Sequence, residues 1–305
     1  MIRVIYNAAA RGGRIERHQK EMRRLLDERV GAYEWTETSS TKQGIQLASE
    51  AGPQDVVVAV GGDGSIHTVV EGLIAGGGQA ALGIIPAGTG NDFAYGMGIP
   101  SGQAEAIDVL AAGAESRVDV GWAELDGLPG FPFANAIGFG FDAASSIQSR
   151  KRKFLPGVLR YLVSSLETLA SWRAPTVVVQ GDGLAWEQPL MFATFGNAPR
   201  SGGGFLITPD ADPADGLLDY CLVREIGIGK ALTVIPKVMR GTHGSVAEAA
   251  LGRGVAFRLS ASRSVPVHAD GEIVSTACQS AVISIRPGAL RVVSRKQLFG
   301  PNSAR

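Results

Sequence analysis

The first part of the chain alternates between strand-like and helix-like hydrophobic patterns. Continuous runs of β-branched and aliphatic residues are typical of strands that are buried on both faces. Apolar residues spaced three and four apart indicate helices with one buried face. The predicted strands are 2–7, 55–60 and 82–85, and the predicted helices are 15–30, 66–74 and 101–112. This alternation predicts a doubly wound α/β domain with a parallel sheet.

The pattern changes near residue 120. From there on, most segments are short apolar stretches separated by turn residues, and helical spacing recurs only near 155–172 and 228–240. Closely spaced strands of this kind predict a mainly antiparallel β domain, a sandwich or a distorted barrel. We therefore expect an N-terminal α/β domain over 1–122 and a C-terminal β-sandwich domain over 123–287.

The composition narrows the functional classes. The chain has 305 residues, 45% of them hydrophobic, which is enough for two domain cores, and its formal net charge is zero. A neutral chain argues against nucleic-acid binding, because neutralising phosphates requires an excess of basic residues. Cys221 and Cys278 match no metal-ligand spacing. No apolar run reaches the ~18 residues of a membrane span, and the N-terminus lacks the apolar core of a signal peptide, so we expect a cytoplasmic protein.

A glycine-rich loop follows the strand at 55–60. The sequence VVVAVGGDGSIHTVVEGL (56–73) passes from a buried strand through glycines directly into a helix. Backbone N–H groups at such a turn and the positive helix end form an anion site, which glycines leave open to a phosphate. Asp63 beside that anion favours a bridging Mg²⁺. The alternative is an ordinary strand–helix turn with an acidic residue at the helix start.

A second loop of the same type is IIPAGTGNDFA (84–94), where Asn91 is expected to cap the next helix through its side chain. Neighbouring parallel strands that both end in glycine loops place the two loops at one sheet edge. Ligands bind outside the carboxyl ends of strands in such sheets. The pair of loops therefore favours a binding site over two unrelated turns.

Two acidic segments stand out in the second half. The loop PDADPADGLLDY (209–220) could hold a hard divalent cation through carboxylates and main-chain carbonyls, or could be a series of Asx turns. In HADGE (268–272), Asp270 and Glu272 would share one face of a strand, where a carboxylate could act as a general base. The alternative for that segment is a hairpin turn.

Other patterns in the sequence are weaker evidence for a function. The segment GFGFDA (138–143) fits a dinucleotide fingerprint but falls in the β-rich half, and a single match is weak evidence. Neither a P-loop nor a G-x-S-x-G nucleophile elbow occurs. The helix near 155–172 follows four basic residues at 150–153 and carries an apolar stripe. That helix either contacts anionic lipid headgroups or packs in the core.

In order and spacing, these segments resemble the diacylglycerol kinase catalytic family, in its soluble bacterial lipid-kinase branch, which is related to sphingosine and ceramide kinases. The matching motifs are GGDGS (61–65), IPAGTGNDFA (85–94), FANAIGFGFDA (133–143), SGGGF (201–205), DADPADGLLD (210–219) and DGE (270–272). The resemblance covers nearly the whole chain. It also implies that the C-terminal segment 288–305 returns to the first domain.

The resemblance implies ATP-dependent phosphorylation of a lipid hydroxyl, foremost of diacylglycerol to phosphatidic acid. Asp63 would hold nucleotide-bound Mg²⁺, and Glu272 would be the base that takes the hydroxyl proton. Asp212, Asp215 and Leu217 would hold a second, structural Mg²⁺. The residues implied to line the ATP site are Asn7, Ala8, Ala9, Ala10, Arg11, Thr38, Gly61, Gly62, Asp63, Gly64, Ser65, Ile66, His67, Thr89 and Asn91.

The sequence leaves other functions open. A GGDG loop also occurs in kinases of NAD and of sugar phosphates, and a module that binds lipid or nucleotide without turnover would keep the same loops. The expected partner is a lipid at the membrane surface, which implies transient peripheral association. The sequence leaves open whether the chain forms a homodimer.

Overall fold

The computed structural model describes residues 1–7, 15–149 and 157–294. Three sets of sequence predictions lie outside the described residues. These are the nucleotide-site residues Ala8, Ala9, Ala10 and Arg11, the basic residues at 150–153, and the C-terminal residues 295–305.

The chain divides into two compact units. Unit 1 comprises residues 1–119 and 287–305, and unit 2 comprises residues 120–286. Two strands run across the division, β5 (Glu115–Leu125) and β13 (Glu272–Val293).

Unit 1 is an α/β unit built on a parallel sheet. Its strands are β1 (Ile2–Asn7), β2 (Tyr33–Thr38), β3 (Val56–Gly61) and β4 (Ala81–Pro86). Its helices are α1 (Ile15–Arg29), α2 (Thr41–Ser49), α3 (Asp63–Ala75), α4 (Asp92–Gly96) and α5 (Gln103–Ala112). The strand order is β2-β1-β3-β4, and the end of β13 adds a fifth parallel strand next to β4, with Arg291 opposite Ala81. The predicted parallel sheet is confirmed.

The core of unit 1 explains why this sequence folds as it does. Helix α1 buries Met22, Leu25 and Leu26 in the same apolar cluster as Val58 and Val60 of β3. The three helical positions follow the 3.6-residue repeat and lie on one face of α1. The two strand positions are two residues apart and lie on one face of β3, so each periodicity turns its apolar side chains inward. Strands β3 and β4 are buried along nearly their whole length, as strands covered on both faces must be.

Unit 2 is mainly antiparallel. Its remaining strands are β6 (Phe131–Phe133), β7 (Ala136–Gly140), β8 (Thr176–Gly181), β9 (Leu184–Gly196), β10 (Leu218–Arg224), β11 (Ala249–Gly254) and β12 (Ala256–Ala269). Its helices are α6 (Phe141–Ser149), α7 (Gly157–Ser171) and α8 (Ile228–Met239). The helices predicted near 155–172 and 228–240 are confirmed.

Two long strands give unit 2 its layered form. Strands β9 and β12 each pair with β8 through one half and with β7 through the other, and the pairing of β12 with β13 shifts register near 260–265. Such shifts let a strand bend from one layer to the next. Phe139, Phe195 and Phe257 belong to the buried core of unit 2, with Phe195 in ring contact with both of the others.

Candidate functional site

The carboxyl ends of four parallel strands form one edge of the sheet in unit 1. Strands β1, β2 and β3 end at Asn7, Thr38 and Gly61, and β4 ends at Pro86. Asn7 lies opposite Thr38, and Gly61 lies opposite Pro86. The prediction that both glycine loops leave the same sheet edge is confirmed, and the described residues of the implied ATP site lie at or just beyond it.

The two glycine loops touch each other. The Ala87 N–H donates to the Gly61 carbonyl at 2.8 Å. A Cβ atom on Gly88 would lie 2.3 Å from the Cα of Gly62, which is closer than any side chain permits. Glycine at 62 and 88 is therefore required for the loops to approach, and the approach brings backbone and the positive end of α3 together at the sheet edge. This setting suits an anionic phosphate.

Asp63 links the two loops. It is the first residue of α3, and its Oδ1 accepts the N–H of Phe93 in the first turn of α4 at 3.1 Å. The carboxylate therefore satisfies a donor that α4 cannot satisfy internally, and it sits near the positive ends of two helices. The implied role of Asp63 as a Mg²⁺ ligand stays a prediction.

The expected side-chain cap by Asn91 is wrong. Asn91 occupies the N-cap position of α4, but its backbone is left-handed, with φ at 52°, and its side chain makes no capping hydrogen bond. Capping side chains normally extend from a backbone in the β region. Instead, Oδ1 of Asn91 accepts the Gly88 N–H at 2.9 Å and Nδ2 donates to the Gly88 carbonyl at 3.2 Å. Asn91 thus holds the second glycine loop, and Asp63 caps the helix.

The other implied nucleotide residues have mixed surroundings. Thr38 is buried and its hydroxyl donates to the Tyr6 carbonyl at 3.3 Å, while Ile66 packs in the core. The N–H groups of Ser65 and Ile66 both donate to the Gly62 carbonyl, and Thr89 is exposed on the second loop. Nε2 of His67 lies 4.0 Å from a carboxylate oxygen of Glu71, one turn along the same helix.

The acidic loop of unit 2 consists of Asx turns. Oδ1 of Asp212 accepts the Ala214 N–H at 3.0 Å, and Oδ1 of Asp215 accepts the Leu217 N–H at 3.0 Å. Each carboxylate therefore holds its own backbone two residues on, as the Asx-turn interpretation predicts. The loop still offers oxygen ligands only, which are the ligands that Mg²⁺ prefers.

Arg253 faces this loop. Its guanidinium lies 3.4 Å from Oδ2 of Asp215 and 3.4 Å from Oδ1 of Asp219. Burial raises the pKa of Asp219 to about 6, although Arg253 opposes that rise. Oδ2 of Asp219 is buried without a hydrogen-bond partner. Among the described residues, no three side chains form a ready metal cluster, so a cation here would also need main-chain or water oxygens.

The segment HADGE forms a tight hairpin, so the shared-face interpretation is wrong. Asp270 and Gly271 are the two loop residues between β12 and β13, with φ values of 51° and 83°, and Ala269 pairs with Glu272. Two left-handed residues make a type I′ turn, for which Asp-Gly is a favoured pair. Glu272 is exposed on β13.

Asp270 has a structural role that the sequence did not reveal. Its buried carboxylate accepts the N–H groups of Ala134, Asn135 and Ala136 at 2.8, 2.8 and 3.1 Å. Three N–H donors compensate a carboxylate for the water it loses on burial. The hairpin that carries Glu272 is thereby anchored to the segment that leads into β7.

A buried ion pair was also missed. Nε2 of His268 lies 2.8 Å from Oδ1 of Asp142. Burial alone would lower the pKa of His268, but Asp142 and then Asp270 raise it above its ordinary value. Asp142 belongs to GFGFDA, which matched a dinucleotide fingerprint and part of a family motif, but no local signal pairs it with position 268.

Unit 2 contains an apolar cavity of about 110 Å³. Helices α6, α7 and α8 and strands β9 and β10 supply its walls, and the polar groups that reach it include Asp142 and His243. Leu166 and Leu169 of α7 line it, so the C-terminal half of that helix packs inward. His243 is buried, with Nε2 at 3.0 Å from the Ile207 carbonyl, and burial lowers its pKa.

Comparison with known proteins assigns the family. Residues 1–123 match the model of the diacylglycerol kinase catalytic domain, and residues 135–294 match that of the YegS C-terminal NAD kinase beta sandwich-like domain. A diacylglycerol kinase of Mycobacterium tuberculosis (strain ATCC 25618 / H37Rv) is 32% identical over 252 residues, which cover 82% of this chain and 80% of the relative. The chain belongs to the diacylglycerol kinase family of lipid kinases.

The family confirms the resemblance in the sequence. The protein is a kinase that transfers phosphate to a hydroxyl acceptor, and family membership implies the use of ATP. A Pseudomonas aeruginosa protein (strain PAO1) named "Probable lipid kinase YegS-like" is 31% identical over 282 residues, covering 90% of this chain and 86% of the relative.

A solved structure confirms the predicted fold class. A diacylglycerol kinase from Bacillus anthracis str. Sterne superimposes with a TM-score of 0.73 at 18% identity, over 98% of each chain. The shared fold is an N-terminal α/β domain followed by a β-rich domain. Within the described ranges, no helix combines the length and the apolar character that a membrane span requires.

Proposed function

We propose that the protein phosphorylates diacylglycerol. The γ-phosphoryl group of ATP is transferred to the free hydroxyl of the lipid, the hydroxyl proton is taken up by a base, and the products are phosphatidic acid and ADP. The observation that carries the choice of a lipid is the apolar cavity of unit 2. Water-soluble acceptors such as NAD or a sugar phosphate carry no hydrocarbon chain to place there.

The cavity favours an acyl chain energetically. Its walls are almost entirely aliphatic and aromatic, with Phe141, Met191 and Phe192 among them. Each methylene moved from water into such surroundings stabilises the complex by about 0.8 kcal/mol, so four methylenes contribute about 3 kcal/mol. Differences of this size discriminate strongly between lipid and water-soluble acceptors.

The edge of the parallel sheet is the proposed ATP site. The contacting glycine loops and the start of α3 would receive the phosphates through backbone N–H groups, and Asp63 would hold a Mg²⁺ ion, which neutralises charge on the phosphates when bound. Asn91 contributes by fixing the loop at Gly88. The residues Ala8–Arg11 belong to the same proposal but lie outside the described part of the chain.

Glu272 is the proposed general base. It follows the Asp270–Gly271 turn, its side chain is exposed, and the buried Asp270 carboxylate anchors the turn. A base on a rigid hairpin can be held within hydrogen-bond reach of a hydroxyl, which is the first requirement of general-base catalysis.

A second Mg²⁺ is proposed at the acidic loop. Asp212 and Asp215 would contribute carboxylate oxygens and Leu217 its carbonyl oxygen. The oxygen-only donor set and the unpartnered Oδ2 of the nearby Asp219 support a cation there. Its role would be to hold the loop rather than to take part in the transfer.

The test is a kinase assay with γ-labelled ATP and Mg²⁺ on diacylglycerol dispersed in detergent micelles. We expect labelled product in the organic phase. Asp63→Asn keeps an acceptor for the Phe93 N–H but removes the charge, and Glu272→Gln removes the base. Each should lower turnover by at least about 100-fold.

The matched control is Glu187→Gln, which neutralises an exposed glutamate on β9 of the same unit and should leave turnover unchanged. Thermal unfolding of all three variants should match the parent protein. Label that stays in the aqueous phase with NAD or a sugar phosphate as acceptor would contradict the lipid proposal. Full turnover in Asp63→Asn and Glu272→Gln would contradict the assigned roles.

A further inference from the structure

Helix α8 has one face in the apolar cavity. Ala231, Val234, Ile235 and Val238 all line it. Their spacing of three, four and seven residues places them on a single face of the helix. The helix ends at Met239, and two hydrogen bonds close its last turn, from the Gly241 N–H to the Val238 carbonyl and from the Thr242 N–H to the Lys237 carbonyl. The cavity wall is therefore a well-defined helix.

A second apolar face of the same helix is exposed. Leu232 is 54% exposed and Met239 is 48% exposed. These two residues are seven positions apart, about two helical turns, so they lie on one stripe, and the exposed Pro236 lies between them. We call Leu232, Pro236 and Met239 the α8 stripe. It borders the cavity-facing side, so the apolar surface of α8 is much wider than the part that the cavity buries.

The charged residues of the segment that carries the stripe are all basic. Between Glu225 and Glu248 the sequence contains no acidic residue, but it contains Lys230, Lys237 and Arg240. Lys237 and Arg240 are exposed. Lys230 lies 3.3 Å from Glu248. A local excess of cations in a chain with zero net charge is a distinct feature of this surface.

We propose that α8 docks the protein on an anionic lipid bilayer, with the α8 stripe inserted among the lipids and Lys237 and Arg240 at the headgroups. Amphipathic helices with basic residues beside a wide apolar face lie in the membrane interface in this way. The inference rests on the proposed function, because docking by the cavity wall would bring the acyl-chain site to the membrane that supplies the substrate.

The test compares vesicle binding of the full chain and of matched variants. Sedimentation with vesicles of phosphatidylcholine and phosphatidylglycerol should retain the parent protein, and vesicles of phosphatidylcholine alone should retain less. The double variant Leu232→Gln/Met239→Gln should bind mixed vesicles more weakly than the parent protein, by at least about tenfold. Lys237→Glu/Arg240→Glu should abolish the preference for phosphatidylglycerol.

The control is Leu128→Gln/Val274→Gln, which removes two other exposed apolar side chains of unit 2, 65% and 36% exposed. It should bind vesicles like the parent protein. Because neither Leu232 nor Met239 lines the cavity, their variant should keep its thermal unfolding temperature and its turnover of a short-chain lipid dissolved as monomers. Loss of activity only on vesicle-presented lipid would support docking by α8.

Three outcomes would overturn the inference: unchanged vesicle binding in the stripe variant, an equal loss in the control, or a dimer in solution that the stripe variant dissociates. The last would make the stripe a contact between two copies. Failure of the proposed function gives a different result, namely absence of lipid phosphorylation in micelles and with monomers. Vesicle binding that depends on the stripe would still stand in that case.

Discussion

The Asp142–His268 pair places two ionisable side chains in the core of unit 2, with side-chain exposures of 6% and 5%. Isolated charges at such positions are costly, and each group is tolerated because the other is 2.8 Å away. The carboxylate of Asp142 also lines the apolar cavity, and the Thr194 hydroxyl lies 3.4 Å from its Oδ2. At the scale of single residues, the pair makes stability depend on pH.

The stability conferred by His268 should decrease as pH rises. Burial opposes protonation, but Asp142 and Asp270 raise the pKa of His268 above its unfolded value of about 6.5. The contribution is therefore complete below the unfolded pKa and is lost as pH rises through the folded pKa. In urea unfolding, the difference in free energy between the parent protein and His268→Gln should be largest at acidic pH and shrink toward alkaline pH.

His243 serves as a control because its contribution to stability should depend on pH in the opposite direction. Burial lowers its pKa, so the neutral ring is the favoured form in the fold, and its contribution is lost as pH falls through the unfolded pKa. The free-energy difference for His243→Gln should therefore shrink toward acidic pH. A pH-independent difference for His268→Gln would refute the ion pair.

At the scale of elements, helices α2 and α3 show a packing that glycines alone permit. A Cβ atom on Gly72 of α3 would lie 2.4 Å from the Ile45 carbonyl oxygen of α2, and one on Gly76 would lie 2.5 Å from the Ser49 carbonyl oxygen.

Neither α2 nor β2 was predicted from the sequence pattern. Strand β2 reads YEWTET, a mostly polar edge strand, and α2 contains Gly44, so neither shows a clear apolar period.

Gly72→Ala should destabilise unit 1 by about 1–3 kcal/mol, the usual cost of overpacking. Alanine favours helix by about 1 kcal/mol over glycine, but the backbone oxygen in its way cannot move freely. Gly229→Ala in α8 is the matched control, because nothing lies within 4 Å of its added Cβ, and it should be neutral or stabilising. Chemical unfolding of both variants measures the difference, and a stabilising Gly72→Ala would contradict the close packing.

At the scale of the whole molecule, unit 1 is assembled from both ends of the sequence. Residues 291 and 292 pair with β4. The guanidinium of Arg291 donates to the carbonyls of Pro53 and Gln79 at 2.7 Å and pairs with Glu115 at 2.7 Å. In the sequence, all of unit 2 lies between this last strand of unit 1 and the strand that it pairs with.

Ending the chain after Arg286 should destabilise unit 1 more than unit 2. The truncation removes the strand beside β4 and leaves a buried, apolar edge without its partner. Trp35 is the single tryptophan of unit 1, so a variant that keeps it as the only tryptophan reports on that unit. Its unfolding should shift to lower denaturant after truncation, and an unchanged transition would show that the last strand is dispensable.

The sequence alone determined what depends on local pattern. The strand–glycine–helix order, the parallel and antiparallel halves and the motif order of the family all follow from residues close together in the chain. Whether HADGE was a strand or a turn stayed open, because alternation and an Asp-Gly turn both fitted it.

Tertiary structure decided everything that depends on distant segments meeting. The bond from Asp63 to Phe93, the carboxylate of Asp270 under three N–H groups and the Asp142–His268 pair each join separate elements. The cavity and the exposed stripe of α8 depend on which faces the other helices and strands cover. Hydrophobic periodicity specifies that a face is apolar, whereas only packing specifies which surface, if any, buries it.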